Sequence, residues 1–146
     1  MSLPAQIEQA RAADLEAVLR LLSRNRLPPD GLEDHLATMI VARRDGEVVG
    51  SAALEVYADG ALLRSVAVAP EAQRHGLGRE LTDAAIRLAQ ELQVPAVYLL
   101  TTTAERYFPA FGFEPIARTD VPPGVQTSVE FRSACPSSAT VMRRSL

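Results

Sequence analysis

The chain has 146 residues, of which 47% are hydrophobic and 23% charged, and these proportions are typical of a globular protein. This length suits one domain with a sizeable core, so we expect a single domain over residues 1–146. The net charge of −3 argues against nucleic acid as the main partner, since phosphate backbones favour a basic surface. The lone cysteine, Cys135, excludes an intrachain disulfide and a multi-cysteine zinc site, and we expect no metal.

Hydrophobic segments give no indication of a membrane. The N-terminus lacks a basic region followed by a long apolar run, and no apolar run reaches the ~18 residues of a membrane span. We therefore expect no signal peptide, no membrane partner and a cytoplasmic location, with which a single cysteine is compatible. Cys135 is expected to be a small buried or interface residue. The sequence leaves a monomer and a homodimer open.

The first third of the chain predicts a short strand and two helices. The strand covers Gln6–Gln9, and the first helix runs from Asp14, a suitable N-cap, to about Arg24. Its apolar residues recur at i, i+3, i+4 and i+7 and form one buried stripe: Leu15, Val18, Leu19 and Leu22. A Pro-Pro-Asp-Gly segment at 28–31 ends this helix, because proline blocks helix continuation. A second, short helix is predicted over 32–37.

The middle of the chain predicts a meander that changes into a strand–helix–strand unit. Strands at 39–42, 48–57 and 61–68 are joined by Asp-Gly turns at 45–46 and 59–60. A helix follows over 79–92, with these residues inward: Leu81, Ala84, Ala85, Leu88 and Leu92. The apolar run at 96–100 is typical of a central strand covered on both faces. These elements predict an α/β protein with a mixed sheet, and ligands of such sheets favour the carboxyl ends of strands.

The C-terminal part predicts less regular structure. Threonines at 101–103 suit the cap of a short helix that Pro109 interrupts and Gly112 ends. The alternation at 127–132 predicts the last strand, and Arg143 and Arg144 are interpreted as part of a solvated tail.

A glycine-containing loop between the third strand of the meander and the long helix is the strongest candidate site. Free N–H groups and the helix dipole favour phosphate at a helix N-terminus. Gly76 and Gly78 lack a Cβ, so a diphosphate can approach the backbone closely. Arg74, His75 and Arg79 add positive or potentially positive charge. The alternative is a turn that only links strand to helix.

The motifs around this loop resemble those of the GNAT superfamily of N-acetyltransferases. Residues 73–78 match Q/R-x-x-G-x-G/A after a V-x-V-x-P strand end. A second signature, N-x-x-A-x-x-x-Y-x-x-x-G-F, is matched at Ala104, Gly112 and Phe113, but Thr101 replaces its asparagine and Phe108 its tyrosine. The resemblance implies a mixed, mostly antiparallel sheet flanked by helices and splayed at an acetyl-CoA site. It also implies that the segment after the first helix borders an acceptor pocket, with a plain connector as the alternative.

A narrower resemblance concerns the strings at 63–68, 99–105 and 130–136, which look like the ArsN-type acetyltransferases associated with arsenic-resistance operons. It implies a genomic setting in arsenic resistance more firmly than it implies a substrate.

The GNAT resemblance assigns a cofactor role to the residues of the loop and its flanks. The residues expected to bind acetyl-CoA are Val66, Ala67, Val68, Gln73, Arg74, His75, Gly76, Leu77, Gly78, Arg79, Thr101 and Phe108. The N–H groups of Val66 and Val68 would hold the pantetheine arm, and one of them would polarise the thioester oxygen. Thr101 would bond the pantetheine in place of asparagine, unless it caps a helix instead.

The acid and the base depart from the expected pattern. Phe108 stands at the position of the usual tyrosine general acid and cannot donate a proton. Tyr107 is a candidate, but one helical step turns it by about 100°, so we expect it to face elsewhere as a core or rim tyrosine. Glu55 is the nearest strand carboxylate and a candidate base, with a solvated strand face as the alternative. A proximity mechanism that uses a water chain needs neither residue.

Two arginines are candidate substrate ligands. Arg64, in the middle of a strand, is a costly charge to bury alone, so it either pairs with Glu55 or Glu130 or grips a substrate carboxylate. Arg132 is a second candidate. We therefore predict acetyl transfer from acetyl-CoA to the primary amine of a small, carboxylate-bearing metabolite. The alternatives are acetylation of a protein N-terminus and an acyl-CoA sensor without turnover.

Overall fold

The computed structural model describes residues 4–134 and 137–146, so Cys135 and the expectation attached to it lie outside the described residues. The described chain forms one seven-stranded mixed sheet in the order β1-β2-β3-β4-β5-β7-β6. The strands are β1 Gln6–Gln9, β2 Met39–Arg44, β3 Glu47–Tyr57, β4 Gly60–Val68, β5 Ala96–Thr101, β6 Glu114–Pro115 and β7 Thr140–Ser145. The α-helices are α1 Leu15–Arg24 and α2 Leu77–Glu91.

Short helical segments connect these elements. The 3-10 segments are Ala12–Asp14, Leu32–Thr38, Pro70–Ala72, Phe108–Phe111, Arg118–Asp120 and Val125–Thr127, and a π-helical segment covers Glu130–Ala134. None of the helices formed by residues 4–134 and 137–146 is long and apolar enough to cross a membrane.

The predicted meander of β2, β3 and β4 is confirmed. Asp45 and Gly46 both have positive φ, 53° and 80°, as the tight turn between β2 and β3 requires. Both helices then pack on these strands, with α1 against β3 and β4 and α2 against β2, β3 and β4. The expectation that Leu92 faces inward is wrong: it is 44% exposed, because α2 ends at Glu91 and the side chain lies beyond its last turn.

The prediction for the C-terminal part is wrong in two respects. Residues 127–132 form no strand but the end of a 3-10 turn and the start of the π-helical segment, whose Glu130 is buried beside a cationic partner. The last strand is β7, which lies between β5 and β6 in the sheet. It contains Arg143 and Arg144, which were expected in a solvated tail. Arg144 Nη1 donates to the Phe111 carbonyl oxygen at 3.0 Å, so this arginine is anchored to the protein.

Strands β4 and β5 separate towards their carboxyl ends, and this separation positions the site. They run parallel and pair only at Ala61 with Val97 and at Leu62 with Tyr98. Both strands continue past these pairs, β4 to Val68 and β5 to Thr101. The sheet is thus open on one side of β4 from the fourth residue of that strand onwards.

Candidate active site

A cavity of about 630 Å³ lies where β4 and β5 separate. Its walls are residues 25–28 after α1, residues 63–66 of β4, residues 99–104 at the end of β5, and Tyr107, Phe108, Glu130 and Ala139. The carboxyl ends of strands in an α/β sheet are the usual place for a ligand, and this cavity has the size of a small-molecule site.

A bulge in β4 lies at the wall of the cavity. Ser65 has a φ of 59°, and the register with β3 shifts between Ser51 and Ala53. The Ser51 hydroxyl stabilises the bulge by donating to the Ser65 carbonyl oxygen at 2.7 Å. Val66 falls between the registered pairs and lines the cavity, whereas Val68 is paired with Gly50. The bulge therefore leaves Val66 as the best placed of the predicted backbone donors.

The predicted phosphate loop follows β4 and leads into α2. Arg74 and Gly76 both adopt the left-handed conformation, with φ values of 71° and 80°. Left-handed residues of this kind occur in loops whose N–H groups converge on an anion, so this geometry is compatible with the predicted role. The Gln73 side chain fixes the loop by donating to the Val68 carbonyl oxygen at 2.9 Å. Residues 73–76 are exposed, and α2 begins directly after them at Leu77.

Tyr107 connects this loop with the cavity. Its hydroxyl lies 3.4 Å from the point where a Cβ on Gly78 would stand, and its side chain lines the cavity and is 38% exposed. The expectation that Tyr107 faces away from the site is wrong, because the chain here is a turn that enters a short 3-10 helix. Phe108 lines the cavity too and packs edge-on against Phe113 with 5.8 Å between the ring centroids.

Thr101 and Gly112 show how the segment after β5 is held. The Thr101 hydroxyl accepts a hydrogen bond from the Ala104 N–H at 2.9 Å and so closes a turn after β5. It caps no helix, because the 3-10 helix of this segment begins at Phe108 with Tyr107 as its N-cap. Gly112 ends the 3-10 helix at a φ of 86°, as predicted for a C-cap. Pro109 does not interrupt that helix but lies in its first turn.

Arg64 is the centre of a buried ionic network beneath the cavity. Its Nη1 is 2.9 Å from Glu55 Oε2 and its Nε is 2.8 Å from Glu130 Oε2. The guanidinium also donates to the carbonyl oxygens of Asp30 at 2.6 Å and Pro28 at 3.1 Å. The pairing alternative for Arg64 is therefore confirmed, with both carboxylates rather than one. This network also fastens the segment after α1 that forms one wall of the cavity.

Glu55 is fully buried in this network, so the expectation of a solvated strand face is wrong. The Tyr57 hydroxyl donates to Glu55 Oε1 at 2.6 Å, and His35 Nε2 lies 3.8 Å from Oε2. Burial alone would raise the pKa of Glu55, but hydrogen bonds from Tyr57, Ser128 and Arg64 outweigh it and hold the pKa below its ordinary value. Glu55 is not among the residues that line the cavity.

Two exposed arginines, Arg132 and Arg26, differ in whether they line the cavity. Arg132 is exposed on the π-helical segment and does not line the cavity. Arg26, which the sequence interpretation passed over, is exposed and does line it. A left-handed arginine directly after a helix carries no sequence signal, since glycine is the residue expected there. Within the described part of the chain, no three His, Cys, Asp or Glu side chains come together as they would around a metal ion.

Comparison with known proteins agrees with this geometry. The family model for the acetyltransferase (GNAT) domain matches residues 35–115, more than half of the chain. An amino-acid acetyltransferase of Mycobacterium tuberculosis is 32% identical over 126 residues, which cover 79% of this chain and 71% of that protein. The amino-acid acetyltransferase of Aeromonas salmonicida is 31% identical, and the matched region is 79% of this chain but only 29% of that longer protein.

Solved structures share the fold over the whole chain. A Mycobacterium tuberculosis protein in complex with CoA has a TM-score of 0.81 and 26% identity, covering 97% of this chain and 99% of that one. N-acetylglutamate synthase from Neisseria gonorrhoeae, complexed with coenzyme A and N-acetyl-glutamate, has a TM-score of 0.83 and 22% identity over 100% of this chain and 36% of its own. The curated relatives are named amino-acid acetyltransferases, and the narrower ArsN-type resemblance is not shown by them. The chain belongs to the GNAT acetyltransferase family.

Proposed function

We propose that this protein transfers an acetyl group from acetyl-CoA to the amino group of a small amino acid. The observation that carries the proposal is the cavity between β4 and β5, whose lining residue Tyr107 has its hydroxyl beside Gly78, close to the start of α2. The glycine-containing loop, the bulge of β4 and a cavity large enough for a small acceptor thus lie on the same side of the sheet opening. The names of the relatives support an amino acid as that acceptor.

The residues of the loop fit the diphosphate of acetyl-CoA. The left-handed Arg74 and Gly76 open the backbone, and nothing lies within 4 Å of the point where a Cβ on Gly76 would stand. We propose that residues 73–79 hold the diphosphate and that the Val66 N–H polarises the thioester oxygen. Acetyl-CoA supplies the activated acyl group, while the cavity orients the amine next to it.

The charges around the cavity fit a zwitterion. Arg64 and Glu130 line it as members of an internal network with Glu55, and Arg26 brings an exposed positive charge. An amino acid offers one group of each sign to such a cavity. Binding and aligning the two reactants lowers the activation free energy by up to ~7–11 kcal/mol through proximity, so the reaction depends less on a general acid and a general base.

For the proton transfers we retain Tyr107 as the candidate acid but no longer Glu55 as the candidate base. The Tyr107 side chain lines the cavity, whereas Glu55 does not. The carboxylate of Glu55 is instead occupied by Arg64 and Tyr57. Water in the cavity would then accept the ammonium proton.

The test is release of free CoA thiol from acetyl-CoA over a panel of amines. The panel contains amino acids, arsenical and phosphinic amino-acid analogues, polyamines and short peptides. We expect thiol release with one class of amino acid. Release with the arsenical analogue would support the finer prediction of a role in arsenic resistance. Release with peptides alone would favour N-terminal acetylation, and acetyl-CoA binding without any release would favour a sensor.

A further inference from the structure

Arg26 adopts a backbone conformation that arginine rarely takes. It follows α1 with a φ of 57°. Its N–H donates to the Ser23 carbonyl oxygen at 3.2 Å, and the Leu27 N–H donates to the Leu22 carbonyl oxygen at 2.9 Å. These two bonds define a Schellman cap, whose left-handed position is usually glycine because a Cβ is unfavourable there. Residues with such a conformation occur both in ordinary helix caps and at functional sites, so the surroundings of Arg26 decide whether its side chain has a role.

The other long helix provides an internal comparison. Gln93 follows α2 with a φ of 60°, and its N–H donates to the Gln90 carbonyl oxygen at 3.0 Å while the Val94 N–H donates to the Ala89 carbonyl oxygen at 3.3 Å. The two caps are therefore equivalent in their backbone geometry. They differ in their surroundings, because Gln93 is exposed away from the cavity whereas Arg26 lines it.

The charge of Arg26 is available to a ligand. In residues 4–134 and 137–146, no carboxylate lies within ion-pair distance of Arg26. Arg64, the other cationic residue of the cavity wall, is fully buried at its side chain and has its guanidinium between Glu55 and Glu130. Arg26 is thus the exposed cation of the described cavity wall.

We propose that Arg26 binds the carboxylate of the acceptor and so selects amino acids over amines that lack a carboxylate. The inference rests on the proposed function and deepens it, since it names the residue that recognises the substrate class. A guanidinium presents two parallel N–H groups that match a carboxylate, and it keeps its charge at every accessible pH. Arg26 and Val66 line the same cavity, so an acceptor whose carboxylate is held by Arg26 would have its amino group inside that cavity.

The test compares Arg26→Gly with the matched variant Gln93→Gly. Both substitutions relieve a left-handed cap, so both should raise the Tm by a similar amount. Only Arg26→Gly should raise the KM for the acceptor, by about 10- to 100-fold as for a lost charged hydrogen bond, with the KM for acetyl-CoA unchanged. Arg26→Lys keeps the charge but loses the planar guanidinium, so its KM for the acceptor should lie between those of the wild type and Arg26→Gly.

A second comparison uses the substrate instead of the protein. The best amino acid of the panel and its carboxamide are assayed with the wild type and with Arg26→Gly. The wild type should prefer the acid by about 10- to 100-fold, and Arg26→Gly should lose that preference. An undiminished preference in Arg26→Gly would overturn the inference while leaving the proposed function intact. Failure of the wild type to acetylate any amino acid would overturn the proposed function itself, together with this inference.

Discussion

Replacing Arg64 with methionine should destabilise the protein rather than selectively impair acceptor binding. The guanidinium is buried between two carboxylates and fastens the carbonyl oxygens of Pro28 and Asp30. Methionine fills a similar volume but leaves two buried carboxylates without their cation. Removing one partner of a buried pair costs about 3–5 kcal/mol. That loss is a large share of the ~5–15 kcal/mol that stabilises a typical domain.

Equilibrium urea unfolding measures this loss directly, and thermal unfolding should show a Tm lower by roughly 6–20 °C. The control is the triple variant Arg64→Met, Glu55→Gln and Glu130→Gln, which removes the uncompensated charges as well. It should recover part of the stability, because replacing a whole buried ionic group costs much less than breaking it.

The pH dependence provides an independent check. The folded protein holds the pKa of Glu55 below its ordinary value, so this carboxylate stabilises the fold above its unfolded pKa and the contribution disappears as the pH falls through the folded pKa. In Arg64→Met the buried carboxylates lose their cation and bind protons more readily. The deficit of the variant should therefore be largest at neutral pH and smaller at about pH 4.5. An Arg64→Met protein as stable as the wild type, with intact acetyl-CoA binding and no acceptor binding, would refute this account and make Arg64 a substrate ligand.

Three further predictions concern other parts of the chain. Gly76→Glu should abolish acetyl-CoA binding in calorimetry, whereas Gly46→Glu, at a glycine with the same φ of 80° and equally open space, should leave binding intact. Asp14→Asn should lower the free energy of unfolding by about 1–3 kcal/mol at neutral pH, because Asp14 accepts a hydrogen bond from Arg43, which lowers the pKa of its carboxyl group. The difference from the wild type should vanish in acid, where that carboxyl group is protonated. Gly124→Ala should cost about 1–3 kcal/mol in urea unfolding, because its Cβ would overlap with Asp59 Oδ1, and the same substitution should cost less in an Asp59→Ala protein.

The elements that the sequence predicts well are those with strong local signals. The Asp-Gly turn at 45–46 determines its hairpin, and the apolar stripe of α1 identifies a buried helix face. The glycine spacing between a strand and a helix predicts an open loop, and Gly76 and Arg74 both adopt the left-handed conformation there. The phosphate role of this loop stays a prediction. Local chemistry suffices for such features because each depends on a few neighbouring residues.

The features that escaped prediction depend on contacts distant in sequence. Glu55 resembles a solvated strand residue in the sequence, but Arg64 from the next strand pairs with it, and Glu130 from a distant segment pairs with the same arginine. The last strand was missed because Arg143 and Arg144 suggest solvent, although β7 obtains its stability by pairing along β5. Arg26 was missed since its importance arises from a backbone conformation and a cavity wall that only the folded chain defines.

The most direct test of the central claim is the stoichiometry of acetyl transfer to the best amino acid of the panel. Free CoA and N-acetylated amino acid would be quantified together by mass spectrometry in reactions of the wild type and of Gly76→Glu. The account predicts equal amounts of both products with the wild type and neither with the variant. Acetyl-CoA bound by the wild type without any N-acetyl product, whichever amino acid is supplied, would contradict it.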